Sequence, residues 1–468
     1  MAKLIKNGTI VTAADQFKAD ILIDGERIVA MGGGLDERAE EIIEAEGKYV
    51  FPGGIDGHTH FALPFMGTST AGFDTTPAAI AGGTTTVVDF APQPQGMSLL
   101  DSISKHREEK ADGITAVDYS LHAMVMDAQP RIFEELPALV KAGIPTIKLF
   151  MAYKGTPFNS DDATIFQMLE KTNGVGMLTM LHAENGDIIN ILQKRLIGEK
   201  KTDPRYHASS RPPVTEAEAT TRATLLAKAA DAPVFIVHVS CAEAMAAVRD
   251  AKRQGIRVFA ETCPQYLKLD VEDLAKPGFE GAKYVCSPPL RESWHQDHLW
   301  QALQQGWLQV VGSDHCGFNF KDQKEMGRGD FTKIPNGLPG VGDRLAVLYT
   351  YGVIRGKLPL QRMIDVFATT PAKFYGLYPR KGSIAIGSDA DLVIFDPNYT
   401  GTFSVKTSLH GVDYSGYEGS PQRGRPDKVF LRGNLTFDNG TFVGKLGQGR
   451  FLERQPCGLA YSAIPSET

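Results

Sequence analysis

Residues 49–60 read YVFPGGIDGHTH, an apolar run that leads directly into His58 and His60. Because residues two apart on an extended chain point to the same face, both imidazoles can reach one metal ion. Seven more short apolar runs follow, several of them separated by segments with the pattern of amphipathic helices. The eight predicted strands are 49–55, 84–90, 117–125, 145–150, 177–181, 233–239, 257–261 and 308–312. This alternation predicts an α/β protein with a (β/α)8 TIM barrel.

An open, doubly wound sheet is the alternative arrangement of the same elements. Such sheets commonly bind dinucleotides at a Gly-x-Gly-x-x-Gly loop that follows the first strand. The sequence contains no such loop, so the barrel is favoured.

The two ends of the chain differ from its middle. Residues 1–50 contain short apolar segments separated by the turn pairs Asn7-Gly8 and Asp24-Gly25, which are typical of hairpins. Residues from 381 onward have the same character. Neither end is long enough to form a sandwich alone, so we expect the ends to pair with each other. The predicted domains are a small β-sandwich with a C-terminal tail, from residues 1–50 and 381–468, and a catalytic barrel from residues 51–380.

Composition narrows the function classes. The chain has 468 residues and a formal net charge of −6, with acidic and basic residues mixed along it. It offers no basic face, so we expect no nucleic-acid partner, and it has no apolar run long enough for a membrane helix. The five cysteines are widely spaced, without a Cys-x-x-Cys pair, and the N-terminus does not resemble a secretory signal. These features favour a cytoplasmic location.

Side chains of the metal-ligand type lie at the predicted strand ends, where barrel enzymes build their active sites. A single buried histidine is more often structural than a ligand, and a strand-end lysine commonly reaches out to water. Five of the eight strands deliver such a residue, however, which makes coincidence a poor explanation. The residues are His58 and His60 after strand one, Lys148 in strand four, His182 after strand five, His238 in strand six and Asp314 after strand eight.

The order of these residues resembles the binuclear members of the amidohydrolase superfamily. Local stretches are similar to its hydantoinase/dihydropyrimidinase family, from about residue 3 to about residue 454. They are PGGIDGHTH (52–60), LFMAYK (149–154), HAENGD (182–187), ETCPQY (261–266), CSPPLR (286–291), IPNGLPG (334–340) and GSDADLV (387–393). The resemblance also implies a barrel that carries a small β-sandwich, as the chain ends suggest independently.

The resemblance implies a centre with two divalent metal ions, zinc in the family. His58, His60 and Asp314 would bind the more buried ion, and His182 and His238 would bind the other. Lys148 would bridge the two as an N6-carboxylysine, a carbamate formed from its amine and carbon dioxide. This modification turns an amine that is costly to bury as a cation into an anionic ligand between two cations.

The same resemblance implies the reaction. A hydroxide that bridges the metals would attack a ring carbonyl of a dihydropyrimidine or a 5-monosubstituted hydantoin and yield an N-carbamoyl amino acid. Asp314 would act as general base, and Tyr153 would hydrogen-bond the oxyanion of the tetrahedral intermediate. Ser287 and Asn336 would hold the cyclic ureide through backbone groups. Members of the family are commonly homotetramers.

Three alternatives remain at this point. Allantoinase and dihydroorotase share the metal set, but dihydroorotases place an arginine after the second histidine, where this chain reads HFALPF (60–65). A non-enzymatic, dihydropyrimidinase-like scaffold would have lost ligands, whereas all six ligand positions are filled here. The substituent pocket is a separate question, and Leu63 and Phe65 can line a pocket for the ring substituent. Hydantoinases more often carry Pro-His-Val-His and an aspartate in this region, so the natural ring and its enantiomer stay open.

Overall fold

The first fifty residues form short strands in the computed structural model, which describes residues 2–462. The strands are β1 (Ala2–Lys6), β2 (Thr9–Val11), β3 (Gln16–Lys18), β4 (Asp20–Asp24), β5 (Arg27–Gly32), β6 (Glu41–Glu44) and β7 (Tyr49–Pro52). Four of them form one sheet in the order β5-β4-β1-β6. In β4 the three apolar residues are buried between two flanking aspartates that are not, so the apolar run defines the buried part of the strand.

The middle of the chain forms an eight-stranded parallel sheet in the order β17-β16-β15-β14-β13-β12-β11-β8. Its strands are β8 (Gly54–Thr59), β11 (Thr84–Pro92), β12 (Asp118–Met124), β13 (Thr146–Phe150), β14 (Leu178–His182), β15 (Val234–Ile236), β16 (Val258–Thr262) and β17 (Val310–Val311), with a hairpin of β9 (Pro64–Phe65) and β10 (Thr68–Ser69) after β8. At the carboxyl ends of the strands, the His60 amide donates to the His315 carbonyl at 2.8 Å. This contact links the two ends of the sheet and nearly closes the barrel.

Within residues 2–462, ten helices lie between successive barrel strands and four more follow the last barrel strand. They are α1 (Pro77–Ala81), α2 (Leu99–His106), α3 (Ile132–Lys141), α4 (Asp162–Val175), α5 (Gly186–Gly198), α6 (Tyr206–Ser209), α7 (Pro213–Ala229), α8 (Ala242–Arg253), α9 (Pro264–Lys268), α10 (Trp294–Gln305), α11 (Arg344–Val347), α12 (Leu360–Ile364), α13 (Thr370–Phe374) and α14 (Gly458–Ser462). α4 shows how its sequence sets its ends. Asp161 caps its first turn through the Thr164 amide, and Gly176 ends it in the left-handed conformation at φ 73°.

The C-terminal part of the chain completes the terminal domain. Its strands are β18 (Leu392–Thr402), β19 (Pro421–Leu431), β20 (Asn434–Asp438) and β21 (Thr441–Phe442). With N-terminal strands they form a seven-stranded sheet in the order β21-β20-β19-β18-β7-β2-β3. Apolar side chains from both chain ends, such as Ile21 and Ile394, share one buried cluster. The predicted (β/α)8 barrel with a small β-sandwich from both ends is therefore confirmed, whereas the domain limits stay a prediction.

Two of the predicted strands differ from the observed ones by more than two residues at an end. The run 49–55 is divided, because β7 pairs with β18 in the terminal sheet and β8 pairs with β11 in the barrel. The chain passes between the sheets at Gly53, where a Cβ would lie 2.2 Å from Thr85 Oγ1. The predicted strand 233–239 ends at Ile236, before His238, because His238 has a φ of 40° that is incompatible with an extended strand.

The tail after the last strand packs against the amino ends of the barrel strands, opposite the functional end. Arg454 is fully buried there and donates to Ser120 Oγ at 2.9 Å, the Leu121 carbonyl at 2.6 Å and Thr146 Oγ1 at 2.7 Å. Within residues 2–462, no helix has the length and apolar character needed to cross a membrane.

Candidate active site

Two histidines and an aspartate form a compact group at the carboxyl ends of β8 and β17. Asp314 Oδ1 lies 3.2 Å from Nε2 of His58 and 3.2 Å from Nε2 of His60. The ligand atoms of these three buried residues lie within 4.8 Å of one another, close enough to hold one metal ion. Imidazole nitrogen and carboxylate oxygen together are typical ligands of zinc and similar divalent metals.

Two further histidines lie beside this group. The rings of His182 and His238 have centroids 4.5 Å apart, and the His238 ring is 5.3 Å from that of His58. Burial lowers the pKa of both His182 and His238. Each is therefore a neutral imidazole at neutral pH, which is the form that binds metals.

Lys148 is buried between the two histidine groups, and its side chain is 1% exposed. Among residues 2–462 its ammonium has neither a hydrogen bond nor an ion pair within 4 Å, although Glu261 and Asp314 act on it at longer range. Burial lowers its pKa to about 7, against the opposing effect of the two carboxylates. A lysine that is half neutral near pH 7 is a nucleophilic amine, as carbamate formation requires.

Several site residues have strained backbones. Tyr153, His238 and Asp314 have φ angles of 59°, 40° and 50°, in the left-handed region that residues with side chains rarely adopt. Such conformations cost on the order of 1–3 kcal/mol each and cluster at functional sites. The fold therefore holds these side chains where a relaxed strand would not place them.

Two buried carboxylates orient the histidines. Glu261, at the end of β16, accepts a short hydrogen bond from His58 Nδ1, which directs His58 Nε2 toward Asp314. Burial alone would lower the pKa of His58, but the carboxylates of Glu261 and Asp314 raise it to about 9. Glu184 accepts from His182 Nε2 at 2.7 Å, which leaves His182 Nδ1 free for a metal.

The partner of Glu184 is Arg211, whose guanidinium donates to Glu184 at 2.6 Å. Burial raises the pKa of Glu184, but Arg211 and His182 lower it to about 2. No role was predicted from the sequence for Glu184, Arg211 or Glu261. Two signals for Glu261 were present: it begins the family-like stretch ETCPQY (261–266), and it is a carboxylate at the end of a largely apolar strand, which must be paired if it is buried.

All nine predicted site residues line one cavity. They are His58, His60, Lys148, Tyr153, His182, His238, Ser287, Asp314 and Asn336. Burial raises the pKa of Tyr153 to about 12, although Arg211, Ser287 and Asn336 act in the opposite direction. The Tyr153 hydroxyl therefore stays protonated and can donate a hydrogen bond.

One wall of the cavity is apolar. Leu63, Phe65, Phe150 and Phe158 line it beside Tyr153. The Phe65 ring meets Phe158 edge-on at a centroid distance of 5.6 Å, and Phe150 meets Phe158 in the same way at 5.5 Å. The described residues that line this cavity include no arginine.

The donor set fits divalent metals. The buried Nδ1 atoms of His60 and His238 have no hydrogen-bond partner, so neither ring is held by a competing polar contact there. His58, His60 and Asp314 present their ligand atoms to a common point. The carboxylates of Glu261 and Glu184 accept hydrogen bonds from His58 and His182, each on one ring nitrogen, and this leaves the other nitrogen available to a metal, as is common for metal-binding histidines.

The fold and this cavity define a class of protein, a barrel with a metal-ligand group at the carboxyl ends of its strands. A model of the amidohydrolase family matches residues 49–436. The chain belongs to this family. The family and the His-His-Asp group together indicate that it binds a divalent metal.

Individual relatives narrow the family further. The chain is 49% identical to a D-hydantoinase of Geobacillus stearothermophilus, over 98% of both chains. It resembles the crystal structure of a dihydropyrimidinase from Brevibacillus agri, with a TM-score of 0.96, 49% identity and coverage of 97% of this chain and 99% of that one. An L-hydantoinase from Arthrobacter aurescens, at the same coverage, has a TM-score of 0.88 and 30% identity. The predicted hydantoinase/dihydropyrimidinase family and the predicted class, a hydrolase of cyclic amides, are confirmed.

Proposed function

We propose that the protein opens the ring of dihydropyrimidines and 5-monosubstituted hydantoins to N-carbamoyl amino acids. The observation that carries the proposal is a single cavity that joins six metal-ligand side chains to an apolar wall. The cavity has no arginine among its described lining residues, so it suits an uncharged ring better than the carboxylate of dihydroorotate.

The proposed centre holds two divalent cations, zinc being the metal that the donor set suits best. His58, His60 and Asp314 would hold one, His182 and His238 would hold the other, and Lys148 would bridge them as N6-carboxylysine. When bound, such cations lower the pKa of a coordinated water and polarise a carbonyl oxygen. Support for the lysine modification comes from burial without a counterion and from the lowered pKa of the amine.

The protein's own groups then have distinct tasks. Tyr153 donates its hydroxyl proton in a hydrogen bond to the carbonyl oxygen as negative charge develops there. Asp314 accepts the proton of the attacking water and passes it to the ring nitrogen when the C–N bond breaks. The products balance, because one water adds across that bond to give a ureido group and a carboxylic acid, which ionises to a carboxylate and releases one proton. Ser287 and Asn336 would hold the ureide through backbone groups beside Tyr153.

We propose a preference for the D enantiomer of substituted hydantoins. The support is the difference in sequence identity between two relatives. The D-hydantoinase of Geobacillus stearothermophilus is 49% identical to this chain, whereas the L-hydantoinase structure is 30% identical. The wall of Leu63, Phe65 and Phe158 lies on one side of the cavity and would receive the substituent.

The test is the rate of ring opening by zinc-loaded protein on dihydrouracil and on the two enantiomers of 5-benzylhydantoin, with dihydroorotate and allantoin as controls. We expect turnover of dihydrouracil and of D-5-benzylhydantoin, with little on the controls. Faster turnover of dihydroorotate or allantoin would show that the proposed substrate ring is wrong. Faster turnover of the L enantiomer would show that the proposed stereochemistry is wrong.

A homotetramer in the cytoplasm completes the proposal. The resemblance to the family supports the tetramer, and light scattering of the purified protein would test it. Five free, buried cysteines suit a reducing compartment and support the cytoplasmic location, which cell fractionation would test.

A further inference from the structure

A lysine outside the metal-ligand group connects the two segments that carry Ser287 and Asn336. Lys324 lies on the short 3-10 helix Lys324–Gly327, and its side chain is completely buried. Its ammonium donates to the carbonyls of Val285 at 2.8 Å, Pro335 at 2.7 Å and Gly337 at 2.7 Å. All three of its hydrogens are therefore used on backbone oxygens.

Those three carbonyls are next to the residues that face the cavity. Val285 lies two residues before Ser287, and Pro335 and Gly337 flank Asn336 on either side. The Gly337 amide also donates to the Val285 carbonyl at 2.9 Å, so the two segments are joined at the same point. Ser287, Asn336 and Gly337 all line the cavity.

The second segment is also held from its other side. Gly337 has a φ of 141°, and a Cβ there would lie 2.3 Å from Cys316 Cβ. The Cys316 thiol, two residues after Asp314, lies 3.6 Å from the Asn336 carbonyl. Segment 335–337 is thus confined between Lys324 and the residues that follow the candidate base.

The cation at Lys324 has no carboxylate partner within ion-pair distance in the described part of the chain. Burial lowers the pKa of Lys324 to about 7 against the effect of the Cys286 and Cys316 thiols, while the three carbonyls that accept from its nitrogen favour the protonated form. A buried lysine without a counterion destabilises the fold unless its hydrogen bonds compensate. The three hydrogen bonds to backbone carbonyls supply this compensation, so the position of the ammonium is tied to the position of those carbonyls.

We propose that Lys324 is a positioning residue for the ring substrate, which holds segments 285–287 and 335–337 at the spacing that lets Ser287 and Asn336 bind one ureide together. This inference rests on the proposed function. Because the ammonium makes three divergent hydrogen bonds, neither an apolar side chain nor an amide can replace it. Loss of the ammonium weakens ring binding and leaves the metal ligands in place.

The experiment compares Lys324→Met and Lys324→Gln with the wild-type protein, with Lys333→Met as a control whose side chain is 70% exposed on the neighbouring helix. Each protein is assayed for KM and kcat on dihydrouracil, for bound zinc and for Tm. We expect KM to rise at least about tenfold in both Lys324 variants, with kcat changed less than about threefold, which is the pattern of lost uniform binding. Zinc content and the control should match the wild type.

An unchanged KM in a folded Lys324 variant overturns the inference, and so does a parallel loss of zinc, which would assign the lysine to the metal centre. Failure of both variants to fold overturns it as well, because the lysine would then serve folding. The wild-type assay distinguishes failure of the proposed function from failure of this inference. If the wild-type protein opens no ring, the proposed function fails, and this inference fails with it. If the wild-type protein is active and a folded Lys324 variant keeps its KM, this inference alone fails.

Discussion

Lys148 is the residue on which the proposed two-metal centre depends most directly. Its substitution in Lys148→Ala removes the proposed bridge, so we expect most of the bound metal and at least about a thousandfold of the ring-opening activity to disappear together. Metal analysis of the purified variant beside the rate assay tests this. Lys171→Ala, at an exposed position of α4, should change neither. Full metal content with normal turnover in Lys148→Ala would refute the carbamate bridge.

Asp314 combines a ligand position with the role of base. In Asp314→Asn the amide keeps the size of the side chain but cannot accept a proton, so we expect the fold to persist and activity to fall by at least about two orders of magnitude. Circular dichroism and the rate on dihydrouracil measure the two effects separately. Asp322→Asn, at an exposed loop position, is the control. Wild-type rates in Asp314→Asn would remove it as the base.

Asp343 gives a prediction about pH and stability. Burial raises its pKa from 3.8 to about 7, and the nearby His410, whose own pKa burial lowers to about 4, supplies no cation. Between pH 4 and 7 the folded protein therefore holds a proton that the unfolded chain has released. The contribution of Asp343 to stability is fully present below pH 4, falls as pH rises to 7 and is constant above it.

The variant Asp343→Asn cannot ionise, so it should be more stable than the wild type at pH 8, by about 1–3 kcal/mol, and nearly equal to it at pH 4. Urea unfolding at the two pH values measures the difference. Asp231→Asn, at a side chain that is 97% exposed, is the control. An equal effect of Asp343→Asn at both pH values would contradict the assignment.

At the scale of elements, the hairpin β9–β10 supplies part of the proposed substituent wall. The Phe65 ring packs edge-on against Tyr153 and Phe158 at centroid distances of 5.9 Å and 5.6 Å. In Phe65→Ala we expect kcat/KM for 5-benzylhydantoin to fall about tenfold relative to dihydrouracil, because only the bulky ring uses this surface. Phe17→Ala, in the distant strand β3, is the control. An unchanged ratio would assign Phe65 to packing.

The strand ends also show how far the sequence predicts the site. His58, Lys148 and His182 were predictable, because apolar runs locate strands and barrels place function at their carboxyl ends. The backbone conformations at His238 and Asp314 were not, since a left-handed φ leaves no pattern in the sequence.

The buried charged residues that orient the site histidines were harder to predict, for another physical reason. Glu261 and Arg211 act through pairing partners that are remote in sequence, His58 and Glu184. Local patterns do not reveal such partners. The run 49–55 was wrongly predicted as one strand for a related reason. Two sheets share this run, and only the tertiary pairing of β7 with β18 assigns its first part to the terminal sheet.

At the scale of the whole molecule, the barrel and the terminal β-sandwich were both predictable from the sequence, but the way in which the C-terminal tail joins them was not. Residues 450–455 have no regular period, yet they cross the amino ends of β12 and β13. A buried ionic group reinforces the same junction, where Lys381 of the terminal region donates to Asp118 of the barrel at 2.6 Å and to Asp391 at 2.7 Å. Stability of the barrel therefore depends on residues that the barrel domain itself does not contain.

Arg454 provides the test of this dependence. In Arg454→Gln, Ser120, Leu121 and Thr146 lose buried hydrogen bonds to a charged donor, so we expect the free energy of unfolding to fall by about 2–4 kcal/mol. The matched control is Arg450→Gln in the same tail, whose side chain is 56% exposed in an ion pair with Glu26 and should contribute less than about 1 kcal/mol. Because the tail lies opposite the cavity, KM for dihydrouracil should stay unchanged while the folded protein is assayed. Equal stability losses in the two variants would show that the tail does not support the barrel in the manner described.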